Sequence, residues 1–293
     1  MINIIYTILL FNILIIVFKM FEKYKVDNLQ GLIFNYIIAG ACSYFFLEQD
    51  FSLEEILNSD WIYHAIIIGI LFIVVFNFYA FGTQKVGITI TTVANKMSLI
   101  IPVCAAFILN PEKENLNYLI IISMILTLSG IYLSSTKLGK LSFDKKYLWL
   151  IILVFVGQGI SDLIFANFAP KESSYLFFMT LFFMASLSGI IIHKVKSIKT
   201  KTSFHVKNLF WGIIFGIPNF FSLVFFLEAL KTIEHSIVFP LVSMGVIISS
   251  SLLGMLLFKE RISKTNWIGI LLSVCAIFLL ILNKYPEMIS KHL

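Results

Sequence analysis

Charge is scarce in this 293-residue chain: Asp, Glu, Lys and Arg together make up 13%, about half their share in an average soluble domain. Cysteine is scarcer still. Cys42, Cys104 and Cys275 lie far apart, each inside an apolar run, which excludes a disulfide framework and a cysteine metal site and leaves them as small packing residues. There is no P-loop, no dinucleotide-binding glycine motif, no histidine cluster with metal-ligand spacing and no nucleophile elbow. ATP-driven pumping by this chain is therefore not expected. No catalytic set can be assembled either, so the chain is not expected to be an enzyme or to carry a cofactor or metal.

Apolar surface is abundant. Hydrophobic residues reach 59%, with 30 Phe, and the mean hydropathy is +0.95. A globular protein of this size has too little interior to hide that much apolar surface from water, so its solvent is largely lipid. A soluble enzyme, a nucleic-acid binder and a disordered scaffold are excluded together. The net charge of +6 comes from short lysine clusters between apolar runs, as membrane-flanking lysines are placed, and not from a basic stripe.

Hydropathy divides the chain into ten segments, 2–21, 29–47, 62–81, 88–109, 117–136, 147–167, 174–193, 208–229, 236–257 and 266–283. Each is close to the ~20 residues that cross about 30 Å of hydrocarbon as a helix. The expected fold is therefore an all-α integral membrane protein of ten transmembrane helices, in a bacterial plasma (inner) membrane. The first segment does not read as a cleaved signal peptide: no basic residue precedes it, it is too long, and no small-residue cleavage site follows. Odd-numbered loops carry 16 of the 22 basic residues and even loops with the tails carry 5. The second loop (Glu48, Asp50, Glu54, Glu55, Asp60) has none. The positive-inside rule then puts odd loops in the cytoplasm and both termini outside.

A shift of 146 residues lays one half of the chain on the other: Lys25 falls on Lys171, Lys85 on Lys231, Lys113 on Lys259 and Glu114 on Glu260. The halves are 1–136 and 147–293, joined by a loop at 137–146. An odd number of spans per repeat makes the two copies enter the membrane in opposite senses, the inverted arrangement of secondary transporters. The stretch FPLVSMGVIISSSLLGMLLFKERISKTNWIGILLSVCAIFLL, from Phe239 to Leu280, has an early proline, a small-residue run, a Glu-Arg turn and a glycine-containing final helix. It resembles the closing part of an EamA-type repeat of the drug/metabolite transporter superfamily. The first half keeps Glu114 at the place of Glu260 but has Asn115 for Arg261 and Ala94 for Pro240. The resemblance implies ten helices in two repeats, no cofactor, a small organic metabolite as cargo, and a cavity built mainly from spans 1, 3, 4, 6, 8 and 9. It also implies cytoplasmic termini, opposite to the charge count.

Ionisable groups inside hydrocarbon cost from about 2.5 to more than 10 kcal/mol and mark function by default. Lys96 lies eight residues into the fourth segment, about 12 Å deep by helical rise, roughly twice the reach of a snorkelling lysine. Thr92, Asn95 and Lys96 follow i, i+3, i+4 spacing and share one helix face, which suits a surface lining water or solute. The alternative is a lysine locked to a carboxylate as structural glue. Asp162, in the sixth segment with Gln158 one turn before it and Ser161 beside it, is the natural partner. The 146-residue shift sets Gln158 on Asn12. If Lys96 and Asp162 face one cavity, a zwitterionic or anionic solute can separate them; a carboxylate left desolvated and unpaired takes up a proton more readily, which gives a basis for proton coupling. A static ion pair is the alternative.

Asn77 and Tyr79 in the third segment and Asn219 beside Pro218 in the eighth complete the set of cavity candidates. Pro102 and Pro240 offer further kinks. Glu228, Lys231, Glu234, His235 and His64 lie at span ends, where charge is cheap. Trp61, Trp149, Trp211 and Trp267 lie at span ends as an interfacial belt does. Apart from Tyr79, most aromatic residues are read as lipid-facing or core packing, and none of the four tryptophans as solute-binding. Ser250 with Gly254 and Ala39 with Ser43 have the spacing of close helix contacts.

The expected function is secondary active transport of a small organic metabolite, amino-acid-like or another polar or anionic solute, by alternating access, with protons as a candidate coupling ion. The expected partners are the solute and membrane lipids, with no nucleic acid, in a monomer or homodimer. Substrate binding is assigned to Lys96, Asn95, Thr92, Asn12, Gln158, Asn77, Tyr79 and Asn219, and coupling or charge pairing to Asp162 with Lys96. The rival function is a lipid or lipid-linked head-group flippase, which needs a lateral slot between helices.

Overall fold

Hydrocarbon offers no hydrogen bonds to a backbone, so a chain this apolar closes its N–H and C=O groups within helices. A computed structural model describes residues 2–47, 52–109, 118–137, 140–141, 143–170, 174–200, 203–233 and 235–284. Glu48, Asp50, Lys113, Glu114, Asn115, Lys171 and Glu234, used above, lie outside the described residues.

The first half comprises α1 (Ile2–Lys23), α2 (Asn28–Phe45), α3 (Leu53–Leu57), α4 (Ile62–Lys85), α5 (Ile88–Met97), α6 (Ile100–Leu109) and α7 (Tyr118–Ser135). A two-residue antiparallel pairing, β1 (Thr136–Lys137) with β2 (Lys140–Leu141), leads to the second half. There follow α8 (Leu148–Phe168), α9 (Ser174–Thr200), α10 (Val206–Thr232), α11 (His235–Phe258) and α12 (Lys264–Lys284). Asp144 caps the single 3₁₀ turn before α8 by accepting from Lys146 N–H at 3.0 Å. That bond, with the Lys146 ammonium beside it, holds its carboxyl below the usual range.

Among the described residues seven helices are long and apolar enough to cross a membrane: Ile2–Lys23, Ile62–Lys85, Tyr118–Ser135, Lys145–Phe165, Tyr175–Ile198, Val206–Thr232 and Val238–Phe258. The segments expected at 29–47 and 266–283 are helical as α2 and α12. Alpha-2 buries Asn28, Gln30 and Asn35 within its length, which dilutes its hydropathy.

The segment at 88–109 is not one helix. It breaks at Ser98–Leu99 into α5 and α6, and the cause is Pro102. A proline lacks the N–H that would bond to residue i−4, and its ring clashes with that carbonyl; residue i−4 is Ser98. The Ser98 carbonyl is instead taken by Ile101 N–H at 2.9 Å. Alpha-10 and α11 run through Pro218 and Pro240 as continuous helices.

Helix starts recur along the chain. Alpha-1, α2, α4, α5 and α7 begin at 2, 28, 62, 88 and 118, and α8 to α12 begin 144 to 147 residues later. Packing follows the same correspondence. Alpha-2 lies on α10 as α9 lies on α4, α1 on α10 as α8 on α4, and α1 on α11 as α8 on α5. Alpha-2 meets α9 and α7 meets α12 directly. The α7–α12 contact is so close that a Cβ on Gly269 would lie 2.3 Å from Ser134 N and 2.8 Å from Gly130 O. Asn266 at the start of α12 donates to Ser134 O at 2.6 Å.

Burial runs inside-out relative to a soluble protein. Ile5, Leu9 and Ile13 of α1 are exposed, while Leu14, Phe18 and Phe21 pack with Tyr36, Phe177, Phe182, Phe215 and Phe220 in the interior. The face carrying the odd-numbered loops is knitted by polar groups. Lys19 Nζ donates to Thr83 O at 3.0 Å, satisfying a free carbonyl at the C-terminus of α4 and favoured there by the helix dipole. Gln84 and Asn28 exchange amide hydrogen bonds at 2.9 and 3.2 Å, Glu22 pairs with Lys85 at 3.2 Å, and Asn208 donates to Gln30 at 2.6 Å.

Candidate functional site

At the centre of the helices lies a cavity of about 100 Å³. Its walls come from α1, α4, α5, α8, α10 and α11, the elements at spans 1, 3, 4, 6, 8 and 9. Alpha-5 reaches the cavity with its C-terminal end: it starts at Ile88 and ends at the Ser98–Leu99 break, about 15 Å further on by helical rise. A half-helix of that kind can expose backbone and polar side chains only where it lines a cavity or is buried in protein. Asn95 and Lys96 fall in its last turn.

Asn95 Nδ2 donates to Gln158 Oε1 at 3.0 Å. Gln158 Nε2 donates in turn to Asp162 Oδ1 at 2.8 Å. One amide thus relays between an α5 side chain from the first half of the chain and an α8 carboxylate from the second, and all three line the cavity. Lys96 lines it too, with its Nζ 4.4 Å from the centroid of the Phe11 ring. Among the described residues no carboxylate oxygen lies within 4.0 Å of that ammonium. Asp162 lines the same cavity and is close enough to interact with it electrostatically. The arrangement is one cation and one carboxylate held apart in a shared space, with the carboxylate oriented by a hydrogen bond and the cation resting on an aromatic face.

Tyr79 and Asn219 line the cavity as well. The Tyr79 hydroxyl shares a 2.8 Å hydrogen bond with Thr92 Oγ1, so Thr92 sits behind the tyrosine and not on the cavity wall. Asn219, one residue past Pro218, donates to Asn35 Oδ1 at 3.2 Å. Asn12 is outside the cavity lining: its Nδ2 donates to Ile8 O and to Ser249 Oγ, both at 2.7 Å, joining α1 to α11 as Gln158 joins α8 to α5. Asn77 is also outside the lining, and its buried Oδ1 has no hydrogen-bond partner among the described residues. Glu228 pairs with exposed Lys231 at 2.7 Å at the end of α10. His64 stacks on Phe168 with ring centroids 3.7 Å apart.

Sequence reasoning missed the aromatic walls. Phe11, Phe18, Phe72, Phe76, Phe165, Phe226 and Phe239 all line the cavity, with Ser161 and Ser243. The available signal is spacing: Phe72, Phe76 and Tyr79 stand at i, i+4 and i+7, as do Phe11, Ile15 and Phe18, which stacks each set on one helix face. Phe226 and Phe239 meet edge to face at 4.8 Å toward the even-loop side.

Comparison with known proteins agrees with this architecture. The EamA-like transporter family model matches residues 145–282, which is the second half of the chain. An uncharacterized protein of Haemophilus influenzae (strain ATCC 51907 / DSM 11121 / KW20 / Rd) is 32% identical over 288 residues, covering 95% of this chain and 97% of its own length. A solved crystal structure shares the fold with a TM-score of 0.60 at 19% identity, over 95% of this chain and 94% of that one. The chain belongs to the EamA-like transporter family, within the drug/metabolite transporter superfamily, and is an integral, multi-pass membrane protein.

Proposed function

We propose that this protein is a secondary active transporter that carries a small zwitterionic or anionic organic solute by alternating access. Ten membrane passes form two five-helix repeats of opposite sense, 1–136 and 147–293, and the solute sits between them. Support comes from the 144-to-147-residue recurrence of helix starts and from the exchange of packing partners between halves. Lys96 receives the anionic group of the solute. Asp162 faces its cationic group or, where there is none, carries the coupling proton. Asn95, Gln158 and Asn219 supply hydrogen bonds and the phenylalanines enclose the apolar part.

The single observation that carries this reading is that Lys96 and Asp162 enter one cavity from opposite halves without forming an ion pair. Desolvated charges left apart need a reason, and a solute with complementary charge supplies one.

The test is thermal unfolding of purified protein across a panel of amino acids, organic acids, sugars and nucleosides, with Lys96→Ala beside the wild type. A ligand that binds only the folded state raises the melting temperature by mass action. Stabilisation by one chemical class, lost in Lys96→Ala, is the expected result. An identical response of both proteins to every compound overturns the role given to Lys96.

A further inference from the structure

Glu260, the acidic half of the Glu-Arg turn, does not point to solvent. Its Oε1 accepts from Ile88 N–H at 2.7 Å, and its Oε2 accepts from Thr89 N–H at 3.3 Å and from Thr89 Oγ1 at 3.2 Å. A carboxylate from the α11–α12 turn therefore caps the first turn of α5, 172 positions earlier in the chain. Those amides are orphan donors at a helix start, where negative charge is favoured by the helix dipole. Alpha-5 has no side-chain cap of its own, since its N-cap residue is Gly87.

The surroundings are shaped to admit the carboxylate. Gly87 has φ +123°, a conformation suited to glycine, and a Cβ there would stand 3.3 Å from Glu260 Oε1. A Cβ on Gly254 would stand 2.8 Å from Glu260 Oε2. Lys259 adopts the left-handed conformation at φ 53°, and Glu260 N–H returns to Gly254 O at 3.0 Å. This turn folds the carboxylate back from the end of α11 onto α5. Three backbone features, in two halves of the chain, thus converge on one side chain.

Alpha-5 carries Asn95 and Lys96 in its last turn, so whatever fixes its first turn fixes their position in the cavity. The break at Ser98–Leu99 separates α5 from α6, so α5 is a short helix of its own. We propose that Glu260 is a positioning residue, a latch that holds α5 against the second half of the chain and keeps the cavity shut toward the odd-loop face; release of its carboxylate from the Ile88 and Thr89 amides lets that face open. The proposal rests on the alternating-access reading above. It concerns a contact at the membrane face, about one helix length from the solute.

The experiment uses the full chain with Cys42, Cys104 and Cys275 replaced by alanine and one cysteine placed in the cavity by Ser161→Cys. Membrane vesicles of both orientations are treated with the membrane-impermeant cationic thiol reagent MTSET. A separate Lys145→Cys protein, exposed in the fifth loop, identifies the odd-loop face. With Glu260 intact, the cavity cysteine reacts from the even-loop face and is protected from the odd-loop face. Glu260→Ala raises the rate from the odd-loop face alone, by about tenfold if the open population grows in that proportion, and Glu260→Asp, which keeps the charge, restores part of the protection. General loosening of the fold raises both rates together and overturns the latch. So does a rate from the odd-loop face that stays within about twofold of the parent, the spread of a neutral surface change. If Glu260→Ala does not fold, Thr89→Val removes only the hydroxyl contact; a smaller rise on the same face is expected, and no rise overturns the latch. Equal reactivity from both faces with Glu260 intact means that the odd-loop face is not held shut and overturns the latch; alternating access fails separately, if a solute that stabilises the protein shows no counterflow.

Discussion

The Lys96 ammonium rests 4.4 Å from the centre of the Phe11 ring and pairs with no carboxylate among the described residues, although Asp162 lines the same cavity. An aromatic face stabilises a lysine by about 0.5–2 kcal/mol, less than the cost of desolvating it. The site is therefore electrostatically incomplete, and the incompleteness is what a charged solute can relieve.

Replacing this lysine with an apolar residue of similar shape removes the desolvation cost along with the binding group. Lys96→Met is expected to raise the stability of the empty protein by roughly 1 kcal/mol, the usual exchange of function for stability at a site, while abolishing solute-dependent stabilisation. Equilibrium unfolding in detergent with and without solute checks both. A less stable variant that still responds to solute means that Lys96 is structural glue.

The Asn95–Gln158–Asp162 relay links the two halves of the chain. Interhelical hydrogen bonds in membranes are worth about 0.6 kcal/mol on average and at most about 1.7. A double-mutant cycle with Asn95→Ala and Gln158→Ala is expected to return a coupling in that range, measured by reversible unfolding in mixed micelles. Strict additivity contradicts the relay.

Close packing of α7 on α12 depends on Gly130 and Gly269, whose missing side chains admit backbone atoms. Backbone cannot step aside as a side chain can. Gly269→Ala is expected to destabilise by about 1–3 kcal/mol, the cost of overpacking. Gly40→Ala, whose nearest neighbours are atoms of the Phe183 ring from 3.0 Å, is expected to cost less. Melting temperatures of the two variants decide the order.

Much of the helix layout is legible in the sequence because lipid enforces it: apolar runs bounded by Lys25–Asp27 or by Lys259–Ser263 must be helices with those residues at their ends. The chain break inside 88–109 is written in Pro102, but the run is long enough to read as one span. Six of the polar positions singled out by their depth, Tyr79, Asn95, Lys96, Gln158, Asp162 and Asn219, line the cavity. Thr92, Asn12 and Asn77 do not, because helical spacing gives a face but not what that face meets. For a related reason, spacing gathers the aromatic residues on a helix face without marking that face as a cavity wall: a phenylalanine facing lipid and one facing a cavity have the same hydropathy. Nor could the grip of Glu260 on Ile88 be read, since it joins residues 172 apart and makes part of its contact through backbone amides, which carry no sequence signature.

Transport through the cavity is tested most directly by solute counterflow in proteoliposomes, using the compound that raises the melting temperature. Vesicles loaded with unlabelled solute are expected to accumulate labelled solute transiently through the wild-type protein. Asp162→Asn is expected to keep this exchange and to lose accumulation driven by a pH gradient. A wild-type protein that is stabilised by the solute yet shows no counterflow above protein-free vesicles binds it without carrying it, which contradicts alternating access around Lys96 and Asp162.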